Sequence, residues 1–271
     1  MKISNNTTEC STTTVMEARL QIAQATRSPK MIERTFTNKF GKVRVKGKIG
    51  QIHMNVLSAI RYVGKPAKTP DGRIKLLVDM ARVRRVSGVT GGRLDDMLDD
   101  LMQVIIEIKE PVHVACLGHL IDHIDKAQRA DGTFVMARNP LGGERHMWRV
   151  TLGEAACKLL GDDLLLGYDP SPITALKAGI SQAVARHLMT HKNVPNGGWI
   201  IDNLITAVAG ELNQADVLNR RRELKNDAAG LREIGFEISL GRVVACSQGA
   251  MTCSQGAMAC SQGAAYVAKA R

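Results

Sequence analysis

Aromatic side chains are scarce in this sequence: Phe, Trp and Tyr together make up 3% of it. Proteins that hold single-stranded nucleic acid stack its bases on aromatic platforms, so that mode of binding is poorly supplied here. No run of 18 apolar residues occurs, so no segment can cross a membrane as a helix. The first residues lack the apolar core of a signal peptide. Cysteine offers no disulfide framework. Of six, three lie in a tail repeat, and Cys10, Cys116 and Cys157 are scattered. A reducing cytoplasm is the expected compartment.

Catalytic signatures are missing as well. No G-x-x-x-x-G-K-[ST] loop is present, which argues against an ATPase. A nicking enzyme would need a His-apolar-His metal motif and a nucleophilic tyrosine. The three tyrosines are Tyr62, Tyr168 and Tyr266, and no such histidine pair exists. His119 and His123 are four apart, with His113 nearby, but no Cys or carboxylate set completes a tetrahedral spacing. Structural histidines are the expectation. The sequence predicts a protein that is not an enzyme and needs no metal or cofactor.

What the chain does carry is positive charge, +11 net, with an isoelectric point near 9.6. An anionic partner follows, nucleic acid or a membrane surface, and with so few aromatics duplex DNA fits best. Residues 1–50 hold ten Lys/Arg against three Asp/Glu.

The second positive feature is a repeat near the end: Cys246-Ser-Gln-Gly-Ala-Met-Thr252, Cys253-Ser-Gln-Gly-Ala-Met-Ala259 and Cys260-Ser-Gln-Gly-Ala-Ala-Tyr266. A period of seven suggests a coiled coil, yet each unit carries a Gly and only scattered apolar positions, so no seam exists for a partner helix. Seven codons make 21 base pairs, two turns of B-DNA at roughly 10.5 base pairs per turn. A near-exact tandem of that length reads as a DNA repeat translated through. A protein whose gene carries helically phased repeats is a candidate to bind them.

At 271 residues two modest cores are expected. Residues 1–40, rich in Thr, Ser and Asn, read as an arm with a short helix over Val15–Ala25. Gln51–Val63 shows a helical stripe of Ile52, Val56, Leu57 and Ile60, which Pro66, Pro70 and Asp71-Gly72 break. A strand at Ile74–Val78 precedes a helix over Met80–Val86, capped by Asp79 and stopped at Gly88. Thr90–Gln103 is a further helix, and strand-like pieces follow at Val104–Ile108, Val112–Leu117, Phe134–Arg138 and His146–Val150. Helix, strand, helix, turn, helix and ribbon is the winged-helix layout.

The pattern recurs. Ser171 and Pro172 open a helix to about His191, Asn196-Gly197-Gly198 turns the chain, and Trp199–Ile201 is a strand. Asp202 can cap a helix over Asn203–Ala209. A long helix runs from about Asp216 to Ile234, and strands Phe236–Leu240 and Arg242–Ala245 flank Gly241. The expected fold is α+β and mainly helical, two tandem winged-helix domains with a flexible N-terminal arm and a C-terminal repeat tail. The expected boundaries are 1–40 for the basic arm, 41–150 and 151–245 for the two domains, and 246–271 for a disordered tail.

This tandem resembles the iteron-binding replication initiator (Rep) proteins of bacterial plasmids. The stretch Ala183-Val-Ala-Arg-His-Leu-Met-Thr-His191 is similar to that family's first helix of the second domain, and Gly198-Trp-Ile-Ile-Asp-Asn-Leu204 to its strand and next helix. Arg220-Arg-Arg-Glu-Leu-Lys225 with Leu231-Arg-Glu-Ile-Gly-Phe236 looks like its recognition helix and strand, and Leu98–Glu107 looks like part of the first domain. The resemblance covers roughly residues 45–245. It implies a bacterial cytoplasmic protein that binds direct repeats (iterons) at a replication origin, bends or melts adjacent DNA and recruits host replication proteins, with a homodimer among its states. The rival is a winged-helix repressor on a palindromic operator, because half-site symmetry mirrors a protein dimer.

A helical wheel sorts the basic cluster of the long helix. With Leu224 at the centre of the buried side, Val217, Ala228 and Leu231 fall beside it. Asn219, Arg222 and Asn226 fall opposite, with Lys225 and Arg221 flanking them, and Arg220 lies near the apolar edge, placed to pair with an acid or to reach sideways to phosphate. Arg reads guanine and Asn reads adenine in the major groove, so Arg222, Asn219 and Asn226 are the base-reading candidates. Lys225, Arg221 and the wing residue Arg242 would contact phosphate. The plainer alternative is a solvated face whose cations pair with Glu223 and Asp227. The matching helix of the first domain presents Asp95, Asp96, Asp99 and Asp100, which phosphate would repel. The preceding helix offers Arg82, Arg84 and Arg85 to the backbone. The first domain is therefore expected to dimerise or to add phosphate contacts.

Overall fold

A computed structural model describes residues 10–67, 73–90, 92–109, 114–139, 142–161 and 166–246. In chain order its first part holds β1 (Ser11–Thr13), α1 (Val15–Arg19), β2 (Met31–Asn38), β3 (Gly41–Lys48), α2 (Gln51–Val63), β4 (Lys65–Ala67), β5 (Lys75–Val78), α3 (Met80–Ser87) and α4 (Arg93–Gln103). It continues through β6 (Ile105–Lys109), β7 (Val114–Gly118), β8 (Ile121–Lys126), β9 (Met136–Arg138), β10 (Glu144–His146), β11 (Trp148–Leu152) and α5 (Glu154–Gly161). The second part runs β12 (Leu166–Tyr168), α6 (Ser171–Ala175), α7 (Gly179–Leu188), β13 (Trp199–Ile200), α8 (Ile201–Ala209), α9 (Gln214–Asn226), α10 (Ala228–Glu233), β14 (Phe236–Ser239) and β15 (Arg242–Ala245).

Two hydrophobic cores organise these elements. In the first, the α2 stripe of Ile52, Val56, Leu57 and Ile60 is buried against α3 and α4. Asp79 caps α3 by accepting the Ala81 N–H at 3.0 Å, and Gly88 ends that helix in the left-handed region, φ +66°. Strands β8 and β11 return to β5, giving a sheet ordered β4-β5-β11-β8. In the second core α7, α8, α9 and α10 surround Leu224, Leu231, Ile205 and Val184, and a small sheet ordered β13-β15-β14 closes one side. A helix, a strand, further helices (two in the first part, three in the second) and a ribbon thus follow one another twice along the chain.

The expectation of a mainly helical protein is overturned. About 41% of the described residues are helical and 30% are strand, in five sheets. Most of the excess lies in a four-stranded antiparallel sheet ordered β2-β3-β6-β7. Its period-2 signal was in the sequence: Val43 and Val45 alternate with Lys42, Arg44 and Lys46, and the valines are fully buried while the cations face solvent. In β2 the alternation is masked by Thr, Glu and Arg on both faces, which lets the strand read as a polar arm.

The flexible N-terminal arm is likewise corrected, because residues 10–40 are built into the body. β1 pairs antiparallel with β12, so Ser11 lies opposite Tyr168. Leu20 and Ile22 are completely or almost completely buried in the first core, and Ala25 in the second. Gly179 shows how close the fit is: a Cβ there would stand 2.4 Å from the backbone of Thr26. Helix α5, expected with the second domain, contributes Ala155, Ala156, Leu159 and Leu160 to the first core. Apart from Cys246, the repeat Cys246–Tyr266 and the rest of the tail lie outside the described residues.

Where the two cores meet, the contact is polar and buried. Arg186 on α7 donates to Gln51 Oε1 at 2.6 Å and to Asn55 Oδ1, both on α2. Asn55 also donates to Gln182 Oε1 at 3.2 Å, and the Ser58 and Tyr168 hydroxyls lie 2.8 Å apart. Next to them Arg61 forms an ion pair with Glu17 of α1 at 2.9 Å. The Thr13 hydroxyl donates to the same carboxylate at 2.7 Å. Glu17, Gln51, Ser58, Arg61, Tyr168 and Arg186 line a cavity of about 40 Å³ between the cores.

Candidate nucleic-acid interface

The helix carrying the predicted DNA residues stands out from the body because little of it is apolar. On α9 only Leu224 is fully buried, with Val217 packed partly against the second core. Gly210 ends α8 at φ +81°, and the short turn to α9 closes on Asn213, whose side chain caps α9 by accepting the Asp216 N–H at 2.9 Å. The expected single helix to Ile234 is divided at Asp227. That carboxylate is buried and accepts the backbone N–H groups of Lys177 (3.1 Å) and Ala178 (2.7 Å). The same residues interrupt the helix expected from Ser171 to His191, which becomes α6 and α7. One buried carboxylate thus fixes both breaks, by satisfying two amides that no helix can serve at that bend.

On the exposed side of α9 stand Asn219, Arg222, Lys225 and Asn226. Neither Arg222 nor Lys225 has an ion-pair partner among the described residues. Both acids that could have neutralised them are occupied elsewhere. Glu223 takes Arg220 at 2.8 Å, as the position of Arg220 at the apolar edge predicts, and Asp227 serves the amides. Arg221 is placed differently from the expectation. Its guanidinium grips Asp202 on α8 with two hydrogen bonds, one from Nε to Oδ1 at 2.5 Å. That bond holds the Asp202 carboxyl below its usual range. Asp202 does not cap α8, whose first turn it occupies, but clamps α9 onto it. Arg221, expected on phosphate, thus pairs with Asp202 at a solvent-exposed junction of the two helices, the side chains 43% and 40% exposed.

The ribbon that follows α10 and packs against it is the hairpin β14–β15, in register Ile238–Val243 and Ser239–Arg242. Arg242 is exposed at the turn end of the hairpin, its guanidinium 3.3 Å from the carbonyls of Gly197 and Gly198. Leu240, at the tip, is fully exposed. The sequence reading passed over it, although a leucine directly before Gly241 in a two-residue turn is itself a signal.

In the first part, Asp95, Asp96 and Asp99 face solvent on α4, while Asp100 is half-buried and takes Lys48 and His53 at 3.0 Å each. Arg84 and Arg85 are exposed on α3 and Arg82 is half-buried. These three cations share a helix with each other but not with the α9 group. His119 sits with its Nδ1 3.0 Å from the Val104 carbonyl, His123 is exposed, and His113 lies outside the described residues. Among the described residues no three His, Cys, Asp or Glu side chains gather as a metal site would need. No helix among them is long and apolar enough to cross a membrane.

No protein-family profile matches this chain, and no curated protein does. A crystal structure of domains 2 and 3 of RctB superposes on it with a TM-score of 0.39 at 10% identity, covering 83% of this chain and 94% of that one.

Behind α9 runs a file of rings, His187, His191, Trp199 and Phe236, with successive centroids 5.0, 5.4 and 6.4 Å apart. Burial, reinforced by His191, Arg19 and Lys39, pushes the His187 imidazole from 6.5 down to about 4. A depressed histidine stabilises the fold above its unfolded pKa, and that contribution is lost as the unfolded chain gains a proton the folded one refuses. Acidifying from pH 6.5 to 4 should therefore cost on the order of 2–3 kcal/mol through this group. Denaturant titrations of wild type and His187→Gln across that window check it. The variant's stability should fall less, and parallel curves would show that His187 contributes nothing.

Proposed function

We propose that this protein binds double-stranded DNA sequence-specifically and initiates plasmid replication from direct repeats at an origin, acting by binding rather than by catalysis. The observation that carries the DNA reading is the exposed side of α9. Two cations without ion-pair partners among the described residues and two asparagines stand together on a solvated helix that follows a tight turn, while Glu223 is paired with Arg220 and the buried Asp227 serves two backbone amides. A helix so placed presents donors to a major groove, Arg222 to guanine and Asn219 or Asn226 to adenine. In this reading Lys225 and the wing residue Arg242, both exposed, contact phosphate. The net charge of +11 supplies the long-range attraction.

The replication reading rests on the resemblance of the tandem arrangement and on the seven-residue tail repeat, each unit of which is encoded by 21 base pairs. Units two helical turns apart put every bound copy on one side of the duplex. On the first part, the exposed carboxylates of α4 keep that helix away from phosphate, leaving Arg84 and Arg85 of α3 for backbone contact. Footprinting over the gene and its flanking DNA tests the whole reading. Protection repeating every 21 base pairs within the coding repeat is the expected pattern. A single protected palindrome would favour the repressor, and protection confined to DNA outside the repeat would leave replication slippage as the origin of the tail.

A further inference from the structure

The wing of the second core ends in a turn that its own sequence does not suit. Strands β14 and β15 are joined by two residues, Leu240 and Gly241, at φ +46° and +77°. Two consecutive positive φ values are the signature of a type I′ turn, which matches the twist of a hairpin and is served by Asn, Asp or Gly. Leucine is strained there, because its Cβ crowds the backbone in the left-handed region. Nor does its side chain recover anything by packing, since Leu240 is 100% exposed. The hairpin would fold better with a polar residue at this position, so folding does not account for the leucine.

The surroundings say what does. The tip belongs to the hairpin that follows α9 and α10 and meets the start of α8, where the Ile201 N–H donates to the Gly241 carbonyl at 3.1 Å, and the next side chain down the strand is the exposed Arg242. An apolar residue on a projecting tip, backed by a cation, is the arrangement by which minor-groove proteins open a base step: the cation holds the backbone and the apolar wedge enters between stacked pairs. Resting on the DNA reading above, we propose that Leu240 is such a wedge and that it unstacks the duplex beside the site read by α9. Binding and distortion would then be separate properties of adjacent elements.

The test uses the full chain and a restriction fragment carrying the gene with its flanking DNA. Unstacked thymines are oxidised by permanganate, so the wild type should produce reactive thymines at the edge of its footprint. Leu240→Asn places the residue that the turn prefers at the tip, and its melting temperature should equal or exceed that of the wild type. Its footprint should persist while the permanganate signal disappears. Leu240→Met, which keeps an apolar tip, should retain the signal. A footprint without reactive thymines in the wild type, or equal reactivity in Leu240→Asn, overturns the wedge and leaves DNA binding intact. Failure of the wild type to footprint any part of the fragment would instead remove the DNA reading, and the wedge with it.

Discussion

Raising salt from 50 to 200 mM should weaken duplex binding by roughly 10³–10⁵-fold, the loss expected when six to ten phosphates are neutralised. Within that electrostatic background two neighbouring cations should behave differently. Arg222→Ala should cost about 1–3 kcal/mol on the specific site and relax discrimination, whereas Lys225→Ala should weaken all sequences alike and lower the salt slope by about one. Because neither side chain has an ion-pair partner among the described residues, both changes should leave folding stability within about 0.5 kcal/mol of wild type. Arg221→Ala provides the contrast. It releases the clamp on Asp202 and should loosen α9 on α8, so its effect on binding should come with a lower melting temperature. Titrations on specific and random duplexes, with thermal melts of the same samples, separate these outcomes. Equal losses on both duplexes for Arg222→Ala would remove its base-reading role.

How far the sequence reveals this arrangement depends on whether a signal is local. The stripe of α2, the Asp79 cap and Gly88 stop of α3, and the strands around Gly241 are written in contiguous residues, and each was legible. The exposed face of α9 followed from a wheel centred on Leu224. What could not be read there were partners distant in sequence. Asp202 looked like a helix cap because its own neighbours suggested one. Its carboxylate instead pairs with Arg221, 19 residues on. Asp227 looked like a surface acid free to pair with cations, but it is spent on two amides about 50 residues away and breaks two expected helices in doing so. The sheet β2-β3-β6-β7 depends on pairing Val45 with Ile106, which no local window contains. Polar composition hid the N-terminal segment, whose burial rests on contacts with residues far along the chain.

The sharpest check on that last correction is the ion pair between Glu17 and Arg61. Both side chains are almost wholly buried, 3% and 4% exposed, and Thr13 donates to the same carboxylate. Removing one member leaves the other charged inside the protein. Arg61 cannot shed its proton, and its Nε already lacks a hydrogen-bond partner among the described residues. Glu17→Ala should therefore destabilise by about 3–5 kcal/mol, a fall in melting temperature of roughly 6–20 °C for a chain of this size. Arg61→Met alone should be similarly costly, because it strands the carboxylate. The double variant Glu17→Met/Arg61→Met removes both charges together and should recover much of the loss, so the two single effects will not add. A free N-terminal arm predicts something quite different, a Glu17→Ala change within about 0.5 kcal/mol of zero. Denaturant unfolding of the four proteins decides between them. A near-zero single-variant effect would detach α1 from the body of the fold and restore the arm.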